Sequence, residues 1–262
     1  MQPPFVRQSG KRIRESISGE VDPAGYDKDQ LEAQMMGAVE MFFGEQRMRI
    51  QAELEPRIPD DRKAIIQLPL PFWNNESKRL LSILLPFLAR GAEGGVGVQQ
   101  AVVQGMGIDI DWTLPFTEAA NWARRHGAAL VTRVTQTTKD RIRSVVGNWI
   151  ETPDRTLPDL WKQLQEDHAF SRSRAKLIAT TETTRAYAEG EIVGARTLEK
   201  EGWFGYVKEW QTAMDDRVCP ICEPLQGVTV QTTKGEFAGG LQGPPAHPGC
   251  RCWINTIPVL PG

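Results

Sequence analysis

The sequence predicts an α+β protein, mainly helical, that closes with a small antiparallel β unit. Three observations carry this. Up to about Glu201, apolar residues recur at three- and four-residue steps, the period of an amphipathic helix. After Gly202 the period changes to two, through Trp203, Phe204, Tyr206, Val207 and Trp210. All four cysteines fall in the last third, where a zinc-knuckle-like site can close a unit with little core of its own.

Residues 1–27 read as an irregular N-terminal arm, with Pro3, Pro4, Gly10, Gly19, Pro23 and Gly25 scattered among charges. A helical N-terminal region follows over 28–110. Its first helix runs from Lys28 to about Glu55 on Leu31, Met35, Met36, Val39, Phe42 and Phe43. Pro56, Pro59, Pro69 and Pro71 make Gln51–Asn75 mostly loop or extended chain. A helix resumes over Ser77–Arg90 through Leu80, Leu81, Ile83, Leu84 and Leu88. The glycine-rich run from Gly91 to Gly97 then reads as a helix stop and flexible connection. A short helix at Val98–Gln104 and a loop with some strand character over Gly105–Pro115 complete the region.

The third region is 115–262. A long helix starts at Pro115 or Thr117, with Thr117 as its cap, and ends near Glu151. Gly127 and the threonines between Thr132 and Thr138 are places where it can divide. Leu157–Glu166 and Ser171–Glu201 are two further helices, so helices fill 117–201. The β unit, 203–258, holds strand segments at Trp203–Trp210, Val228–Val230 and Arg251–Pro258. In the last, Cys252, Ile254 and Thr256 share one face and Trp253 and Asn255 the other.

Bulk properties bound the function. The chain is 40% hydrophobic with a net charge of -2, which excludes a disordered chain and a globally basic one. Between Asn121 and Lys176 eleven Lys and Arg face six Asp and Glu, read first as a solvated helix face. The polar N-terminus lacks the apolar core of a signal peptide. The apolar run Leu80–Leu88 falls short of the ~18 residues that span a bilayer. The expectation is a chain made and kept in a reducing cytosol, with no membrane partner. There, four cysteines read as metal ligands before disulfides. The eight tryptophans read as core and interface anchors.

The chemistry concentrates in two half-sites. Cys219-Pro-Ile-Cys222 can wrap a metal in a tight turn, and His247-Pro-Gly-Cys250-Arg-Cys252 offers three more donors. A tetrahedral Zn2+ takes four N or S ligands. Cys250 and Cys252 share a face if the segment is extended, giving a four-thiolate site; His247 and Cys250 pair if it turns. Four of the five donors hold the ion; spacing leaves both sets open, and the four cysteines are the favoured set, with His247 replacing one of them or lying beside the metal. Asp215-Asp216-Arg217 lies just before the first half-site; an aspartate there can brace the turn or orient a ligand, with Asp216 and Arg217 the candidates, or the turn is simply solvated. Thr181, Glu182 and Arg185 share one face of the preceding helix. They make either an exposed ion pair or a polar contact from helix to β unit.

Taken in order, these pieces resemble the phage Mu F-like head morphogenesis family. The resemblance rests on Arg174-Ala175, Ile178-Ala179-Thr180-Thr181-Glu182, Arg185-Ala186, Gly190 and Trp210-Gln211-Thr212. It continues through Asp216-Arg217-Val218-Cys219-Pro220-Ile221-Cys222, Leu225-Gln226-Gly227 and Pro244 to Cys252, and covers roughly Thr117 to Ile257. Thr180 departs from the pattern, since many members carry arginine there. The resemblance implies a non-enzymatic minor capsid protein of a tailed phage or prophage. Its implied partners are the portal protein and the scaffold or major capsid protein, with packaged DNA as a further contact. Its implied place is the virion, at the capsid interior or portal vertex, reached from the host cytoplasm. The competing classes are a zinc-dependent nucleic-acid-processing enzyme and a zinc-ribbon DNA-binding protein. A deaminase wants H-x-E ahead of P-C-x-x-C, which this chain lacks.

Overall fold

A computed structural model describes residues 25–59, 67–152, 154–231 and 233–259. Among the described residues there are five α-helices: α1 (Gly25–Leu54), α2 (Leu70–Gly105), α3 (Thr113–Glu151), α4 (Leu157–Glu166) and α5 (Arg172–Lys200). Three strands follow: β1 (Gly205–Gln211), β2 (Thr229–Gln231) and β3 (Trp253–Val259). The mainly helical α+β expectation holds. Of the expected arm, residues 1–24 lie outside the described residues and 25–27 already belong to α1. The expected loop over Gln51–Asn75 is shorter than predicted, because helix occupies both of its ends.

The described residues group into two compact units. One comprises 25–32, 87–124 and 180–259, the other 33–86 and 125–179. The boundary expected between 110 and 115 therefore falls inside the first unit. In the second unit the core is Ile50, Leu54, Trp73, Ile142, Val145, Val146, Trp149, Leu160 and Leu164. Thr156 caps α4: its hydroxyl accepts from the Asp159 backbone N–H, and Asp159 reaches back to the Thr156 N–H, the reciprocal capping box.

Two helix boundaries differ from the expectations. Helix α2 does not stop at Gly91. It continues through Gly91, Gly94, Gly95 and Gly97 to Gly105, and Pro86 lies inside it. Gly91, Gly94 and Gly95 make room for α5. A Cβ on Gly95 would overlap the Tyr187 carbonyl oxygen and sit 2.7 Å from the Glu191 nitrogen. A Cβ on Gly190 would overlap the Ala92 carbonyl oxygen. The true stop is Gly107, whose φ of 75° is left-handed and whose N–H donates to the Gln104 carbonyl. Helix α3 begins at Thr113, where the Asp111 carboxylate accepts the backbone N–H. Thr117 sits a turn inside and returns its hydroxyl to the Thr113 carbonyl, so it does not cap the helix. Gly127 and the threonines leave α3 undivided; Thr132, Thr137 and Thr138 each bond the carbonyl four residues back.

This continuity changes one expectation about α2. At 36 residues it is long and apolar enough to cross a membrane by length and composition. Its apolar stripe is nonetheless core: Leu80, Leu84, Leu88, Ala92 and Val96 are buried, and the buried Gln99 donates to the Thr256 carbonyl of β3.

The basic excess is also partly internal. Arg174 is buried; it donates to Thr138 Oγ1 and to the carbonyls of Ala169 and Val134, and stacks over Phe43. Burial lowers its pKa to about 10. Arg141 makes a two-pronged pair with Asp167.

The sheet order is β2-β1-β3, antiparallel throughout. Val207 pairs with Gln231 on one side and Ile257 on the other. The helices of the first unit bury Ala92, Val96, Val103, Ala119, Ala195 and Leu198 against Phe204 and Tyr206. A second cluster joins Ala188 and Ile192 of α5 to Trp210, Leu225, Phe237, Ile254 and three of the cysteines.

Candidate metal centre

The first half-site is built on a turn. The N–H groups of Cys222 and Glu223 both donate to the Cys219 carbonyl, at 3.0 Å each. This curls the chain so that both thiols face one way. Ahead of it, the Asp215 carboxylate accepts the Arg217 backbone N–H at 3.1 Å and the Arg217 guanidinium at 3.2 Å. Asp215 also receives both terminal nitrogens of Arg251 at 2.7 Å each. Arg251 lies between Cys250 and Cys252, so this fork ties one half-site to the other. Arg251 drives the Asp215 carboxyl well below the ordinary carboxylate range. The bracing carboxylate is thus Asp215; its neighbour Asp216 is exposed.

The second half-site turns. Cys250 N–H donates to the His247 carbonyl at 3.2 Å, and Gly249 adopts φ 76°, a conformation that favours glycine. Thr181 Oγ1 accepts the Gly249 N–H at 2.9 Å. Thr181 and Glu182 are both buried, and Glu182 pairs with the half-buried Arg185 at 3.5 Å. Of the two readings for this helix face, Thr181 follows the helix-to-β contact.

Five donors converge. His247 Nε2 lies 3.0 Å from Cys219 Sγ and 3.2 Å from Cys222 Sγ. Cys222 Sγ lies 3.8 Å from Cys250 Sγ. Two triples, Cys219–Cys222–His247 and Cys222–Cys250–Cys252, each have all ligand atoms within 4.8 Å of one another, and Cys222 belongs to both. His247 Nδ1 is 2.8 Å from the Pro248 carbonyl. Donating there leaves Nε2, the nitrogen facing the sulfurs, with its lone pair free. A cavity of about 30 Å³ lies among the donors, with Arg217 and Arg251 also in its wall. That is room for one ion or one water between the donors.

The thiols differ electrostatically. Hydrogen bonding from Cys252 lowers the Cys250 thiol, and the same contact raises that of Cys252. Burial raises Cys222. At Cys219 burial acts upward, but backbone N–H groups of Cys222 and Ile221 outweigh it and the net shift is downward. At His247 burial acts downward, and the Pro248 carbonyl with the nearby thiols turns the net shift upward.

The remaining motif pieces assemble beside this centre. Gln226 Oε1 accepts the Thr212 backbone N–H and hydroxyl, and Gln226 Nε2 donates to Gln211. Gly227 N–H donates to the Trp210 carbonyl, and Trp210 N–H to that of Val228. The Trp210-Gln-Thr and Leu225-Gln-Gly segments, separate in sequence, are hydrogen-bonded partners. One residue lay outside the sequence expectations. Lys208 is fully buried, and its ammonium donates to the carbonyls of Gly235 and Gln242 at 2.7 Å each. It pins the loop that joins the half-sites. The available signal was parity: Lys208 alternates in register with Tyr206 and Trp210, both inward.

A small antiparallel β unit folded around a cysteine–histidine cluster, with buried helix residues bracing its turns, defines a knuckle-bearing structural module. Over residues 154–255 the chain matches the model of the family described as phage Mu protein F like protein, in line with the resemblance that its motifs carry. All five donors and the Thr181–Arg185 face lie within it. The resemblance expected from Thr117 thus has its support from 154 onward. No curated protein and no solved structure matches the chain.

Proposed function

We propose that this is a minor head protein of a tailed phage or prophage. In this reading it acts in procapsid assembly at or near the portal, against the scaffold or major capsid protein, with packaged DNA as a further contact. It is made in the host cytoplasm and ends in the virion, at the capsid interior or portal vertex. Its C-terminal unit carries one structural Zn2+, held by four of Cys219, Cys222, His247, Cys250 and Cys252.

The observation that carries the reading is convergence. Several of the pieces that carry the resemblance, Thr181, Trp210 to Thr212, Leu225 to Gly227 and the two half-sites, meet at one knuckle. The donors suit zinc: soft thiolates and an imidazole with a free Nε2. The ion supplies a cross-link between the two half-sites. A thiolate-rich set in a cavity with room for one ion supports a structural role over a hydrolytic one, which needs an open position and a substrate cleft. The DNA-binding alternative draws on the basic excess, yet Arg141 and Arg174 of that excess are engaged inside their own unit.

The test is assembly. Co-expressed with the portal, scaffold and major capsid genes of its own phage, the protein should co-purify with portal-containing procapsids. It should be missing from procapsids assembled without portal. Equal recovery in both would remove the portal assignment, and absence from both would remove the head-protein reading.

A further inference from the structure

Five donors surround a site that takes four. We propose that the ligands are Cys219, Cys222, His247 and Cys250, with Cys252 outside the coordination shell; this rests on the structural-zinc reading above. Three close contacts string these four together: Cys219 to His247 at 3.0 Å, His247 to Cys222 at 3.2 Å and Cys222 to Cys250 at 3.8 Å. Sulfurs at 2.3 Å from a tetrahedral zinc are about 3.8 Å apart, so Cys222 and Cys250 already stand at the edge length of such a site.

The imidazole decides between the sets. Its Nδ1–H is used on the Pro248 carbonyl, so a lone pair at Nε2 faces two sulfurs within 3.2 Å. Lone pair against thiolate is repulsive unless a proton or a metal ion sits between them. A metal ion bound by all three satisfies every group at once. A four-cysteine site would instead leave the ring as a bystander inside hydrogen-bond distance of two bound sulfurs. The backbone agrees. The His247-Pro-Gly-Cys250 segment is a turn closed by its own N–H···O bond and by Thr181, and a turn brings His247 and Cys250 to the same side. Cys252 lies beyond that turn, at the entry to β3, packed with Trp210 and Ile254; its sulfur is within 4.8 Å of those of Cys222 and Cys250, but it shares no such group with His247.

The experiment is zinc X-ray absorption on the full-length protein, with metal content and Co2+ spectra of variants. The expected result is one zinc per chain, with three sulfurs and one nitrogen. Cys252→Ser should keep the full metal content and an unchanged Co2+ spectrum. His247→Cys should move the ligand-field bands to those of four thiolates. A parent shell of four sulfurs overturns the assignment, as does a folded Cys252→Ser that has lost its metal. A parent with no stoichiometric zinc removes the structural-zinc reading itself, a result distinct from the wrong ligand count.

Discussion

Lys208 gives the clearest residue-scale prediction. Burial, reinforced by Arg196, lowers its pKa to about 8 from an ordinary 10.5. Between those values the unfolded chain holds a proton that the folded chain does not, so stability must rise with pH across that window. Below about pH 8 both states are charged and the full cost of burying the ammonium is felt. The gap in unfolding free energy between the parent and Lys208→Met, measured by urea denaturation from pH 7 to 10.5, should shift in the parent's favour as pH rises. A gap that is flat with pH would mean the ammonium is not desolvated. At this scale the sequence was informative where chemistry is rare. Five metal donors among 262 residues stand out by type and spacing. It was uninformative where chemistry is common. Nothing in Asp215-Asp216 says which carboxylate meets an arginine that lies beyond thirty intervening residues.

At the scale of elements, the α2–α5 crossing makes opposite predictions for neighbouring glycines. Gly95→Ala and Gly190→Ala push a methyl into backbone and should each cost at least about 1–3 kcal/mol. Gly97 has nothing within 4 Å of an added Cβ, so Gly97→Ala should stabilise by roughly 0.5–1 kcal/mol through helix propensity. Thermal denaturation of the three variants should split in sign. Equal destabilisation by all three would argue that the crossing is not tight. The same glycines explain the misread stop. A glycine that ends a helix and a glycine that lets two helices touch are identical in a local window. Only the partner segment, with Tyr187, Gly190 and Glu191, tells them apart. Helix α4 was legible end to end because its signals are local: Thr156 and Asp159 as caps, proline in the first turn, and Leu160 and Leu164 one turn apart.

For the whole molecule, metal removal should act unevenly. The second unit has a helical core of its own, whereas the β unit is small and its joining loop relies on Lys208 and the cysteine–histidine centre. A strong chelator under reducing conditions should therefore abolish near-UV dichroism and shift the fluorescence of the buried Trp210, while far-UV helical signal is largely kept. Loss of both signals together would place the centre upstream of helix packing. The mainly helical class and the three strands were legible because both periods are strong. The grouping into two units was not. It depends on stretches such as 87–105 and 180–200 meeting across a long interval of chain, and no spacing rule encodes that meeting.

The buried Gln99–Thr256 bond and the glycine crossing bear on how this gene can be cut. The segment that the family model matches begins at 154, but it packs against 87–105, which lies outside that match. A plasmid encoding 154–259 alone would leave the bare backbone of Gly190 and the last strand facing solvent, and its product should collect in inclusion bodies or give collapsed amide dispersion. Supplying 70–112 in trans should restore dispersion to part of the material. The segment that the family model matches is thus smaller than the unit expected to fold.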